Sequence, residues 1–112
     1  MVMKLSQGDI IKVCFDPSLG HEQAGYRPAC IVSNRVLNNH SNIHYCCPIT
    51  NTKRMDIFCH QLNGYPQFKG YVLCDQINSL DLNARPYKLI GKLKEDDITI
   101  ILDKISMVLE KE

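Results

Sequence analysis

No apolar run in this sequence approaches the roughly 18 consecutive residues that a membrane-spanning helix needs, so no membrane association is expected. The N-terminal stretch Met1 to Ser6 has no apolar core of the kind a secretion signal carries, which makes the cytoplasm the expected compartment. An excess of either charge is also missing: 13 basic and 12 acidic residues leave a formal net charge of +1. Binding to nucleic acid by bulk charge is thereby excluded, and any such site must be a local patch. There is no C-x-x-C pair, no internal repeat, no linker and no low-complexity segment.

Cysteine is present, as Cys14, Cys30, Cys46, Cys47, Cys59 and Cys74, but these match a disulfide set only in number. Most lie inside apolar strand-like runs, where a free thiol behaves as a small hydrophobe. His44, Cys46, Cys59 and His60 follow no recognised metal-ligand spacing, so neither a metal nor another cofactor is expected.

What the chain does contain is an ordinary globular composition, 45% hydrophobic and 22% charged over 112 residues. That length suits one domain, taken as residues 1–112. Strand-like runs fall at Ile10–Phe15, Ala29–Ser33, Ile43–Ile49, Met55–Leu62, Gly70–Ile77 (interrupted at Asp75-Gln76) and Tyr87–Leu93. Asn34–Asn42 reads as a polar segment with a wide turn, and Asn78–Asn83 as a turn or single helical turn. Ile98, Ile101, Leu102, Ile105, Val108 and Leu109 then recur at helical spacing, after acidic residues at 95–97 that suit a helix N-terminus. The expected fold is mainly β, a small barrel of five to seven strands with a C-terminal amphipathic helix packed on it.

One connection is longer than a turn requires. Between the first two strands, Asp16 to Arg27 carries Asp16, His21, Glu22, Gln23, Tyr26 and Arg27. Hairpin loops usually need about two to five residues, and loops on a rigid scaffold are where binding and catalytic groups gather. Pro28 biases Arg27 toward an extended conformation.

Gly8-Asp9-Ile10, Asp16-Pro17, Glu22-Gln23-Ala24-Gly25-Tyr26-Arg27-Pro28-Ala29, Pro48-Ile49-Thr50 and Val72-Leu73-Cys74-Asp75-Gln76-Ile77 follow one another in order. This ordered set resembles the MazF/PemK family of toxin endoribonucleases from bacterial toxin–antitoxin modules, over nearly the whole chain. The resemblance implies an SH3-like barrel acting as a homodimer. It implies sequence-specific, metal-independent cleavage of single-stranded RNA, with arrest of translation and growth, and a cognate antitoxin that blocks the RNA groove. The family's catalytic Arg and Thr map onto Arg27 and Thr50. The loop from Asp16 to Tyr26 corresponds to one wall of the groove, and Glu22, Gln23, Tyr26, Asn34, Lys53 and Gln76 are the RNA-binding candidates. The segment from Arg54 to Lys69 has no motif that aligns with the family. A toxin of the same fold that inhibits a protein such as DNA gyrase is the alternative, because fold alone does not separate the two.

Metal-free cleavage uses the 2′-OH as nucleophile on its own phosphate, leaving a 2′,3′-cyclic phosphate or 3′-phosphate and a 5′-OH. The planar guanidinium of Arg27 suits bidentate bonding to phosphate oxygens, and the Thr50 hydroxyl adds a donor. An arginine is a poor general base, so His21, in the same loop, is the candidate for proton transfer. Lys53 and Arg54 follow Thr50 and are read as a solvated pair able to touch phosphates. Tyr26 and Phe68 are the aromatics that could stack on a base. Arg85-Pro86 repeats the R-P pair without its preceding motif and is read as structural.

Overall fold

The computed structural model describes residues 4–15, 26–54 and 56–112. Seven strands run in the order β1 (Asp9–Cys14), β2 (Tyr26–Ile31), β3 (Ile43–Thr50), β4 (Cys59–Leu62), β5 (Gly70–Leu73), β6 (Asn78–Asp81) and β7 (Tyr87–Lys92). A short helix α1 (Arg35–Asn38) lies between β2 and β3, and α2 (Glu95–Val108) closes the chain. The spatial order is β4-β5-β3-β2-β1-β7, with β6 also paired to β3 and all pairs antiparallel.

The mainly β fold with a terminal helix is as expected from the sequence. The barrel is not closed by hydrogen bonds among the described residues, since β4 and β7 are the free ends of the path. Side-chain packing bridges part of that gap: Phe68, just before β5, presses so closely on β7 that a Cβ on Gly91 would lie 2.5 Å from its ring.

Both faces of the sheet are covered, which explains why its central strands are apolar throughout rather than alternating. Ile10, Cys30, Cys47, Ile49 and Val72 face Ile98, Ile101 and Ile105 of α2. Ile11, Val13, Ala29, Ile31, Cys46, Leu80 and Leu82 pack on the other face. Consecutive residues of one strand thus enter different cores, as a period of two dictates. Cys14, Cys30, Cys46, Cys47 and Cys74 are buried, and Cys59 is half-buried. Burial pushes the Cys46 thiol up to about 12 and the Cys74 thiol up to about 11.

Three local expectations are corrected. Asn34–Asn42 is not only a turn: the Asn34 side chain accepts from Val36 N and caps the one-turn helix α1. Residues 78–83 do not form a helical turn, because Asn78–Asp81 extends as β6 against the first half of β3, with Leu80 opposite His44. The fourth strand, expected over Met55–Leu62, spans Cys59–Leu62; Met55 lies outside the described residues, and Asp56 takes the Phe58 N–H while Arg54 bonds the Asp56 carboxylate, so residues 56–58 turn ahead of the strand.

β5 and β6 run as one strand broken by a bulge. Ile49 pairs with Val72, whereas Cys46 pairs with Asn78, so five residues on that side face only Cys47 and Pro48. Pro48 has no N–H to give to a ladder, and the break falls there.

Candidate functional site

Arg27 sits in β2 rather than in the preceding loop, opposite Val13 of β1, and is exposed. The loop was expected to continue to Arg27, but the ladder with β1 already begins at Tyr26. Its extended conformation agrees with the restriction that Pro28 imposes. Thr50 is the last residue of β3 and half-buried. The two strands pair at Ala29↔Pro48, Cys30↔Cys47 and Ile31↔Cys46. Two residues further in each strand, the same register sets Arg27 opposite Thr50. Residues opposite one another in an antiparallel pair share a face. Arg27 follows Ala29 and Thr50 follows Cys46 in parity, so both lie on the face away from α2.

The row continues beyond Thr50. Thr50 pairs with Tyr71 of β5, and Tyr71 pairs with Gln61 of β4. Arg27, Thr50, Tyr71 and Gln61 thus cross four neighbouring strands on one face, and a concavity lined by Asn51, Gln61, Asn63, Lys69 and Tyr71 opens at its far end. The Thr50 hydroxyl oxygen accepts from Thr52 N at 3.1 Å, which fixes its rotamer and leaves its own proton to donate outward. Gly70 has φ +127°, and a Cβ there would lie 2.3 Å from the Thr50 carbonyl oxygen. Only glycine allows β5 to approach Thr50 this closely. Sequence reasoning passed over Gly70, Tyr71 and Gln61 because none carries a motif; their role comes from strand register.

Lys53 is exposed just past Thr50. Arg54 is not the solvated partner expected for it. Its guanidinium grips both Asp75 oxygens at 3.2 and 3.0 Å, and its Nε donates to Asp56 at 2.8 Å. Those carboxylates, Asp75 first and then Asp56, raise its pKa further. The Phe58 N–H, and then Arg54, hold the Asp56 carboxyl below its usual range. Arg54 therefore braces the segment after β3 against the bulge that carries Asp75 and Gln76, and Gln76 itself is exposed.

Tyr26 opens β2 opposite Cys14 and is half-buried. Phe68 is unavailable for base stacking: it is buried and stacks on Tyr65, with centroids 4.8 Å apart. Asn34 is not brought to this site, since most of β2 separates it from Arg27 and its side chain is engaged as the α1 cap. Arg85 donates to the Cys14 carbonyl at 2.7 Å, in keeping with a structural role. Asp16, His21, Glu22 and Gln23 lie outside the described residues. His44 and Cys46 face one side of the sheet, while His60 is on the other, bonded to Asp97 of α2 at 2.7 Å.

The sequence profile of the family described as PemK-like, MazF-like toxin of type II toxin–antitoxin system matches residues 6–109. The chain is 34% identical over 102 residues to the endoribonuclease toxin MazF of Escherichia coli strain K12, covering 91% of each protein. It superposes on the crystal structure of MazF from Deinococcus radiodurans with a TM-score of 0.83 at 27% identity, covering 96% of this chain and 98% of that one. A MazE–MazF structure from the same organism matches with a TM-score of 0.80 at 25% identity, covering 96% and 97%. With a profile match over almost its whole length and a curated endoribonuclease at this identity, the chain belongs to the PemK-like, MazF-like toxins of type II toxin–antitoxin systems.

Proposed function

We propose that this toxin is a cytoplasmic endoribonuclease that cuts single-stranded mRNA at a short sequence without a metal ion, arresting translation and growth. The observation that carries the reading is the common row of Arg27 and Thr50 on the sheet face away from α2. A guanidinium and a hydroxyl on adjacent strands, about 5 Å apart in backbone spacing, suit the oxygens of one phosphate.

In this reading the substrate 2′-oxygen attacks the adjacent phosphorus as its proton is withdrawn. Negative charge builds on the non-bridging oxygens, where Arg27 supplies a planar fork and Thr50 one further donor. The P–O5′ bond then breaks, and the leaving oxygen takes a proton to become the 5′-OH. The other product is the 2′,3′-cyclic phosphate, which can open to a 3′-phosphate. His21 is the proposed proton carrier, and Glu22, Gln23, Tyr26, Lys53 and Gln76 are the proposed RNA contacts. The MazE–MazF neighbour supports a cognate antitoxin as partner. An acidic segment folding over Arg27 and Lys53 would satisfy their charge. A homodimer is the proposed assembly.

The test is purified protein incubated with mixed-sequence RNA in EDTA. Fragments with 5′-hydroxyl ends are expected, with the rate lowered about 10²–10³-fold in Arg27→Ala. In the same assay, an unchanged pH–rate profile in His21→Ala removes the histidine from the mechanism. Intact RNA, with growth arrest persisting on expression, would sink the nuclease reading in favour of a protein target such as DNA gyrase.

A further inference from the structure

We infer that Tyr71 and Gln61 form a base-recognition subsite for the nucleotide next to the scissile phosphate. The inference rests on the nuclease reading for the position of that phosphate, and on strand register for the rest. Thr50↔Tyr71 and Tyr71↔Gln61 are direct cross-strand pairs, so the three side chains stand in line on one face. At 4.7–4.9 Å per strand, Tyr71 lies about 5 Å and Gln61 about 10 Å from Thr50. A nucleotide leaving the Arg27–Thr50 phosphate in this direction meets the tyrosine ring first and an amide next.

The lining chemistry fits an unpaired base better than a second phosphate. Tyr71 is half-buried at a strand position and is one of the residues lining the concavity. Aromatic faces of this kind stack on single-stranded bases of any identity. Asn51, Gln61 and Asn63 surround it, and each primary amide offers donors and an acceptor to a base edge. Lys69 is the one cation of the lining, enough for a flanking phosphate and too few for a polyanion. Stacking on Tyr71 supplies affinity, and the amides, Gln61 foremost, supply discrimination. Both residues lie outside the quoted motifs, Gln61 in the segment from Arg54 to Lys69 and Tyr71 just ahead of the stretch from Val72 to Ile77.

The experiment separates binding from cleavage. A fully 2′-O-methylated mixed-sequence oligonucleotide, which lacks the nucleophile, is titrated by fluorescence anisotropy against the full chain and its Tyr71→Phe, Tyr71→Leu and Gln61→Leu variants. Cleavage positions are then mapped on a long mixed-sequence RNA in EDTA. Tyr71→Phe is expected to bind as the parent does, and Tyr71→Leu to raise Kd about tenfold or more. Gln61→Leu, at an exposed position, is expected to flatten the base preference at one nucleotide flanking the cut. Unchanged Kd and cut-site profile in folded Tyr71→Leu and Gln61→Leu would overturn the subsite. Weakened binding in Tyr71→Leu with no cleavage by any form would uphold the subsite and reject the nuclease reading instead.

Discussion

At Gly70 a single hydrogen atom in place of a methyl group decides whether β5 can lie against Thr50. Its φ of +127° and the 2.3 Å that would separate an added Cβ from the Thr50 carbonyl oxygen act together. Gly70→Ala is expected to cost about 1 kcal/mol or more of stability and to lower the cleavage rate beyond that, because the strand end carrying Thr50 must move. Gly64→Ala is the control. It also has a positive φ, +83°, but its Cβ would meet only the flexible end of Lys94. Thermal unfolding should fall in both, and kcat only in Gly70→Ala; equal kcat losses would reject the positioning role. The proposed catalytic pair rests on residues visible in the sequence, because Arg27 before Pro28 and Thr50 after Pro48 are motif residues. Tyr71 and Gln61 were not legible there, because nothing local marks them and only pairing between distant segments sets them beside Thr50. Arg54 was misread for a similar reason: its partner Asp75 is supplied by a bulge 21 residues on.

Among the elements, α2 is attached to the sheet at its first turn by a polar clasp. Asp97 accepts from His60 of β4 at 2.7 Å and from the Tyr65 hydroxyl, and Lys94 N donates to that same Tyr65 oxygen at 2.8 Å. Burial by itself would raise the Asp97 pKa, but the bonds from Tyr65 and His60 outweigh it and hold the carboxyl below its usual range. Burial first, and then Asp97, push the Tyr65 phenol up to about 12. A carboxyl with a depressed folded pKa contributes stability that is present above its unfolded value, about 3.9, and is lost as pH falls through the folded one. Lowering the pH from 6 to 3 should therefore reduce the Tm of the parent more than that of Asp97→Asn, measured by circular dichroism. Equal Tm losses would mean that the clasp is not coupled to folding. The helix was legible because its 3.6-residue period and acidic first turn are local signals. β6 was not: four residues, N-S-L-D, have a turn composition, and they become a strand because β3 offers them an edge.

For the molecule as a whole, a net charge of +1 means that attraction to RNA has to come from where the cations stand. On and beside the Arg27–Thr50 row these are Arg27, Lys53 and Lys69, since Arg54 is already matched by Asp75 and Asp56. Each cation that meets a phosphate releases counterions, and for single strands log K falls with log salt by roughly 0.7 per contact. Three contacts give a slope of about −2, shallow compared with proteins that bind by an extended basic surface. Anisotropy titrations of the 2′-O-methylated oligonucleotide between low and physiological salt should yield that slope. Lys69→Gln should make it shallower by roughly 0.7, while Arg54→Gln should leave it unchanged, because that guanidinium is spent on carboxylates. A slope steeper than about −4 would show that cations outside the row hold the RNA, and the groove would have to be redrawn around them.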